Sequence, residues 1–103
     1  MAPAQPVSLP TDARLVELRA GHLTFRSRRR IAPGTVVDFA LVMEGRPWPL
    51  RAPVLTCAVH KERGLALYEM RMSLESLGEG DRHLITLFIE KGRGAPGLAP
   101  AAR

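Results

Sequence analysis

The chain has 103 residues, of which 46% are hydrophobic and 24% charged, and it carries a formal net charge of +5. One domain of this length buries roughly 60 to 65% of its unfolded surface, which excludes a large enzyme cleft, and the balance of apolar and charged residues excludes a disordered chain. Arginine supplies 13 of the 15 basic residues. Guanidinium groups make planar, bidentate contacts to phosphate and carboxylate, so the excess fits an anionic partner, while its spread along the chain equally fits a solvated basic surface.

Residues 1–12 hold three prolines and no apolar periodicity, and they read as a flexible N-terminal arm. Ala13 to Leu18 and His22 to Ser27 form an opening pair of strands, with Gly21 between them where a positive φ would cost little. In Ala32-Pro33-Gly34-Thr35 the proline presets φ and the glycine follows, which predicts a turn. Val36 to Met43 then alternates with period two, placing Val37, Phe39, Leu41 and Met43 on one face. Glu44-Gly45 makes a tight turn. Pro47, Pro49 and Pro53 cannot donate to a ladder, so the strand beginning near Leu50 has edge character or an early bulge and is regular only from Val54 to Val59. Lys61-Glu62-Arg63-Gly64 closes the next hairpin, and Leu65 to Leu74 puts Ala66, Tyr68, Met70, Met72 and Leu74 on one side.

The period changes once, after Gly78 and Gly80. Asp81 is placed to cap a helix whose stripe is Leu84, Ile85, Phe88 and Ile89, with Leu87 at its margin and Gly92 as its stop. Residues 92–103 repeat the proline and glycine character of the other end and read as a flexible C-terminal tail. The core unit is therefore residues 13–91, whose five strands with short connections predict an antiparallel barrel or sandwich.

Cys57 stands alone, so no intramolecular disulfide and no thiolate cluster can form, and His22, His60 and His83 are too scattered to suggest a metal site. The N-terminus lacks a basic segment followed by an apolar run, and no apolar stretch approaches the roughly 20 residues that span a bilayer, so no membrane insertion and a cytoplasmic location are expected. A catalytic set would have to come from Glu17, Asp38, His60 and His83, yet no nucleophile–base spacing or phosphate loop is present, and an enzyme is not expected. Phe25, Phe39, Tyr68 and Phe88 fall on predicted core faces instead of a stacking platform, which argues against nucleic acid.

The order of the elements, written VELRAGHLTF, IAPGTVVDFAL, RAPVLTCAV, LYEMRMSLES and GEGDRHLITLFI, resembles the layout of the PilZ domain over residues 13–91. The resemblance implies a mainly all-β fold, a six-stranded antiparallel β-barrel with one C-terminal α-helix, and a module known as a bacterial receptor for cyclic di-GMP. In that family an R-x-x-x-R motif before the barrel and a D-x-S-x-x-G turn hold the ligand. The turn falls here on Glu17 in place of the acid, Arg19 in place of the serine, and Gly21 followed by His22 in place of the closing glycine. No arginine precedes Arg14, so R-x-x-x-R is absent.

A separate run, RSRRR, supplies Arg26, Arg28, Arg29 and Arg30 after the turn as candidate contacts to an anion or a protein partner. Trp48, held between two prolines, reads either as a lid on the barrel end or as an anchor for a protein partner, since a preset turn loses little entropy on binding. The expectation is a divergent PilZ-like regulatory or adaptor module, without a cofactor, that binds a partner protein with an acidic surface in bacterial motility or surface signalling such as type IV pilus function. The alternative is a cyclic di-GMP receptor that uses the displaced arginines.

Overall fold

A computed structural model of the chain describes residues 5–101. Its elements in chain order are β1 (Val7–Ser8), β2 (Arg14–Leu18), β3 (His22–Ser27), β4 (Val36–Met43), β5 (Arg46–Glu62), β6 (Leu65–Ser73), α1 (Glu79–Lys91) and β7 (Gly97–Pro100). The alternation in β4 does what its sequence dictates, since Val37, Phe39, Leu41 and Met43 are all buried. They meet Met70, Met72 and Leu74 from the β6 side and Leu23 and Phe25 from β3. Tyr68, expected inside with Met70 and Met72, is only half-buried and packs at the core margin.

The two hairpin turns have the mirror-image geometry that matches strand twist. Glu44 and Gly45 have φ of 52 and 77°, and Arg63 and Gly64 have 49 and 79°, so both central residues are left-handed, as the two-residue turn requires. The Pro33-Gly34 turn also forms, with Thr35 N–H donating to the Ala32 carbonyl at 3.2 Å. Gly21, in contrast, has no positive φ, and an added Cβ there would make only an ordinary contact with Glu75, so left-handed freedom is not why glycine occupies that turn.

β5 is longer than its sequence suggests, because its prolines do not interrupt it. Residues 46–53 pair with β4, and from Val54 onward the strand pairs with β6, with a bulge at Leu55 between the registers Val54↔Met72 and Thr56↔Arg71. Pro47, Pro49 and Pro53 share one parity. Val54, of the other parity, donates to the Thr35 carbonyl and accepts from Gly34 N–H. The even-numbered residues therefore face β4, and each proline's missing N–H falls on the edge that carries no ladder.

The sheet order is β1-β4-β5-β6-β3-β2, with β7 also on β4. This mainly-β fold is a compact sheet that is not closed into a six-stranded barrel. The physical reason lies at β4, whose outer edge is already taken: β1 runs parallel to it at Val37 and Asp38, and β7 runs antiparallel from Phe39 to Val42. β2 approaches β7 but forms a ladder only with β3. The two ends read as flexible from the sequence thus contribute strands, and Leu9 is buried, although residues 1–4 and 102–103 lie outside the described residues.

α1 lies on the core through Ile85, which is buried, with Leu84 and Phe88 half-buried beside it. Ile89 is 45% exposed, so it is off the stripe the spacing suggested. The helix begins after Gly78 with no side-chain cap, and Asp81 sits inside the first turn, where a carboxylate still complements the helix dipole. At the other end Gly92 N–H donates to the Phe88 carbonyl at 2.7 Å. A Cβ at Gly92 would collide with the Phe88 ring and carbonyl, so this stop requires glycine through close approach.

Candidate functional site

At the open end of the β2–β3 hairpin, the β1–β2 connection, the end of β3 and the β5–β6 hairpin surround a groove of about 1230 Å³. Five arginines line it, at positions 14, 26, 28, 29 and 63, against two carboxylates, Asp12 and Glu62. Arg26 is engaged internally: its Nε lies 3.0 Å from Glu69 Oε1, and its Nη1 lies 3.8 Å from Glu62. Among the described residues, Arg14, Arg28, Arg29 and Arg63 have no ion-pair partner. RSRRR is therefore split by strand alternation, with Arg26 tied to the sheet and Arg28, Arg29 and Arg30 exposed after β3.

The segment bearing Arg28 and Arg29 is pinned. Asp12 accepts a hydrogen bond from Ser27 Oγ at 2.8 Å through one carboxylate oxygen and from Arg28 N–H at 2.8 Å through the other. Arg29 N–H donates to Ser27 Oγ at 3.0 Å, and Ser27 is itself buried. The Arg28 N–H bond, with Ser27 adding to it, holds the Asp12 carboxyl below its ordinary pKa despite an opposing contribution from burial. This latch fixes the chain direction at which the arginines leave the sheet. Neither Asp12 nor the rim residues Arg14 and Arg63 stand out in the sequence, because the fold alone brings segments separated by about 15 to 50 positions to one groove.

The ligand-turn positions lie at the opposite end of the same hairpin. Glu17 Oε1 is 3.0 Å from His22 Nε2 and 3.5 Å from Arg19 Nε. An ionised carboxylate only accepts, so the His22 ring nitrogen carries the proton in that bond. These contacts, His22 first and Arg19 second, lower the Glu17 pKa. Glu17, Arg19 and His22 thus satisfy one another. The arginine groove and this turn are separated by the length of the six-residue β3, about 17 Å at ~3.3 Å per residue, so the fold does not bring the displaced arginines to the turn.

Trp48 faces the same side of β5 as Leu50, Ala52 and Val54, but past the end of the core. It lines a second hollow of about 580 Å³ with Met43, Leu84, Leu87 and Phe88, and with Arg46 and Lys91 at the rim. It is 37% exposed. It therefore covers the mouth between β5 and α1 while keeping an open face. Of the residues considered for catalysis, Asp38 is ion-paired with Arg51, Glu17 belongs to the turn, His60 is on β5 and His83 is exposed on α1. Among the described residues no three histidine, cysteine, aspartate or glutamate side chains gather to hold a metal ion. No described helix is long and apolar enough to cross a membrane.

The fold and groove define a mainly-β chain with a basic, partly apolar surface groove. No family model, curated protein or solved structure matches the chain.

Proposed function

We propose that the chain is a divergent PilZ-like regulatory or adaptor module that acts by binding an acidic protein surface, in bacterial motility or surface signalling, and not by catalysis. The observation that carries this reading is the groove in which Arg14, Arg28, Arg29 and Arg63 stand, among the described residues, without ion-pair partners beside exposed apolar side chains. Unpaired, exposed guanidinium groups raise the association rate with an anionic surface and help select it. The PilZ-like part of the reading rests on the sequence resemblance; the fold shares with it only a mainly-β make-up with one helix, and the open seven-stranded sheet departs from the closed barrel it implies. The internally satisfied turn of Glu17, Arg19 and His22 supports protein binding over cyclic di-GMP, because a nucleotide there would have to displace those contacts.

Calorimetric titration of cyclic di-GMP into the chain tests the reading directly. The expected result is no saturable heat at physiological salt. Saturable binding that disappears in the R28Q/R29Q/R30Q variant overturns it in favour of a receptor that uses the displaced arginines.

A further inference from the structure

We infer that the groove takes an acidic segment of a partner protein that carries an apolar side chain among its carboxylates, and that Arg14 and Arg63 grip it from the two rims. This rests on the adaptor reading and specifies the partner's chemistry. Size decides first between a small molecule and a polymer. At about 1230 Å³ the groove exceeds the roughly 300 to 1,000 Å³ of ordinary small-ligand sites, so it suits a length of chain.

Charge decides the sign. Five lining arginines against Asp12 and Glu62 leave a surplus of three positive charges, and both carboxylates already have partners, Asp12 in the latch and Glu62 beside Arg26. The remaining guanidinium groups are left for an incoming anion.

The apolar wall decides between kinds of polyanion. Val16 on β2 and Leu65 and Leu67 on β6 line the groove on either side of β3, and Val16 is 45% and Leu65 55% exposed, whereas Leu15 packs against the core. Leucine-sized surface flanked by guanidinium groups complements a peptide with carboxylates around an aliphatic side chain. No aromatic residue lines the groove, so a nucleic-acid strand would find its phosphates met but its bases without a stacking partner. Partial preorganisation adds to the fit, since the Asp12–Ser27 latch fixes the backbone of Arg28 and Arg29 before binding.

The experiment uses the full chain and two labelled synthetic peptides, one rich in glutamate with two leucines, the other identical but with serine for both leucines, followed by fluorescence anisotropy at low and physiological salt. The wild-type chain is expected to bind the leucine peptide at least about tenfold more tightly than the serine peptide, since a buried leucine contributes on that scale. R14Q/R63Q is expected to lose at least about tenfold for the leucine peptide, whereas R46Q/K91Q, which removes equal charge from the Trp48 hollow, is expected to bind within about twofold of wild type. Both variants, and R28Q/R29Q/R30Q used beside them, alter exposed side chains, and each is expected to remain folded by circular dichroism.

Equal loss in R46Q/K91Q, or equal affinity for the two peptides, overturns the inference by reducing it to net charge. Tighter binding of a single-stranded oligonucleotide of matched charge overturns it in favour of nucleic acid. If R28Q/R29Q/R30Q weakens the leucine peptide while R14Q/R63Q does not, the adaptor reading stands and the groove occupant is wrong. If neither variant changes affinity, both fall.

Discussion

Leu41 tests the core most directly. It is fully buried in the middle of β4, opposite Trp48 on β5 and Leu98 on β7, so the surrounding strands are held by ladders on both sides and can collapse little around a lost side chain. Leu41→Ala therefore removes transfer energy and leaves a cavity, a loss of about 3 kcal/mol. At roughly 4 to 8 °C per kcal/mol for a domain of this size, the midpoint of thermal unfolding falls by about 12 to 24 °C. Leu41→Asp goes further: an unpaired carboxylate at this depth costs several kcal/mol, comparable with a total stability of roughly 5 to 10 kcal/mol, and the variant is expected to be unfolded. The neighbouring Val42 points the other way and is half-buried, so Val42→Thr is expected to cost less than about 1.5 kcal/mol. Far-UV circular dichroism melts and urea titrations of the three variants measure this. A folded Leu41→Asp of near-native stability, or a Val42→Thr as damaging as Leu41→Ala, refutes the assigned strand phase.

Gly92→Ala places a Cβ against the Phe88 ring and carbonyl, so Phe88 must shift on the core, and a urea titration is expected to show a loss of about 1 to 3 kcal/mol. R28Q/R29Q/R30Q is expected to change stability by less than about 1 kcal/mol, because these arginines are exposed and, among the described residues, have no ion-pair partner; a larger loss in a thermal melt would show that they support the fold. The Asp12 latch predicts a pH dependence. Its folded pKa is depressed, so its contribution is present above the unfolded value near 3.9 and is lost as pH falls through the folded pKa. Asp12→Asn is expected to narrow the difference in unfolding free energy between neutral and strongly acidic pH, read from urea titrations, by under about 1 kcal/mol for so exposed a group, and an unchanged difference would show that the latch adds nothing to acid stability.

Where one short-range rule governs, sequence and structure agree. β3 and β4 begin and end where alternation starts and stops, and both hairpin turns fall on two-residue connections that end in glycine, with Glu44 and Arg63 carried into the left-handed region beside it. The misreadings arise where a distant neighbour decides. The prolines of β5 look like breakers until β4 is seen to occupy only the other edge. Val7–Ser8 and Gly97–Pro100 have no strand pattern of their own and are recruited by the outer edge of β4, and that recruitment keeps the sheet from closing as a barrel. Ile89 completes a helical stripe by spacing, yet the contact of α1 with the core is too narrow to cover it. At the candidate site the arginine run was legible as charge. Its meaning was not, because Arg26 is neutralised by Glu69 across the sheet, Arg14 joins from β2 and Arg63 from the β5–β6 turn, and Asp12 fixes the exit.

The parity of Pro47, Pro49 and Pro53 also bears on how copies of the chain behave toward one another. A strand edge with regularly spaced free donors is a template on which a second molecule can add its own strand, and sheets that end that way tend to aggregate. Along the first half of β5 the donors on the outward edge are missing at three of its positions. That edge accepts but scarcely donates, and an incoming strand would find no continuous ladder to join. The residues that obscured β5 in the sequence thus protect an open sheet from growing by addition of its own copies.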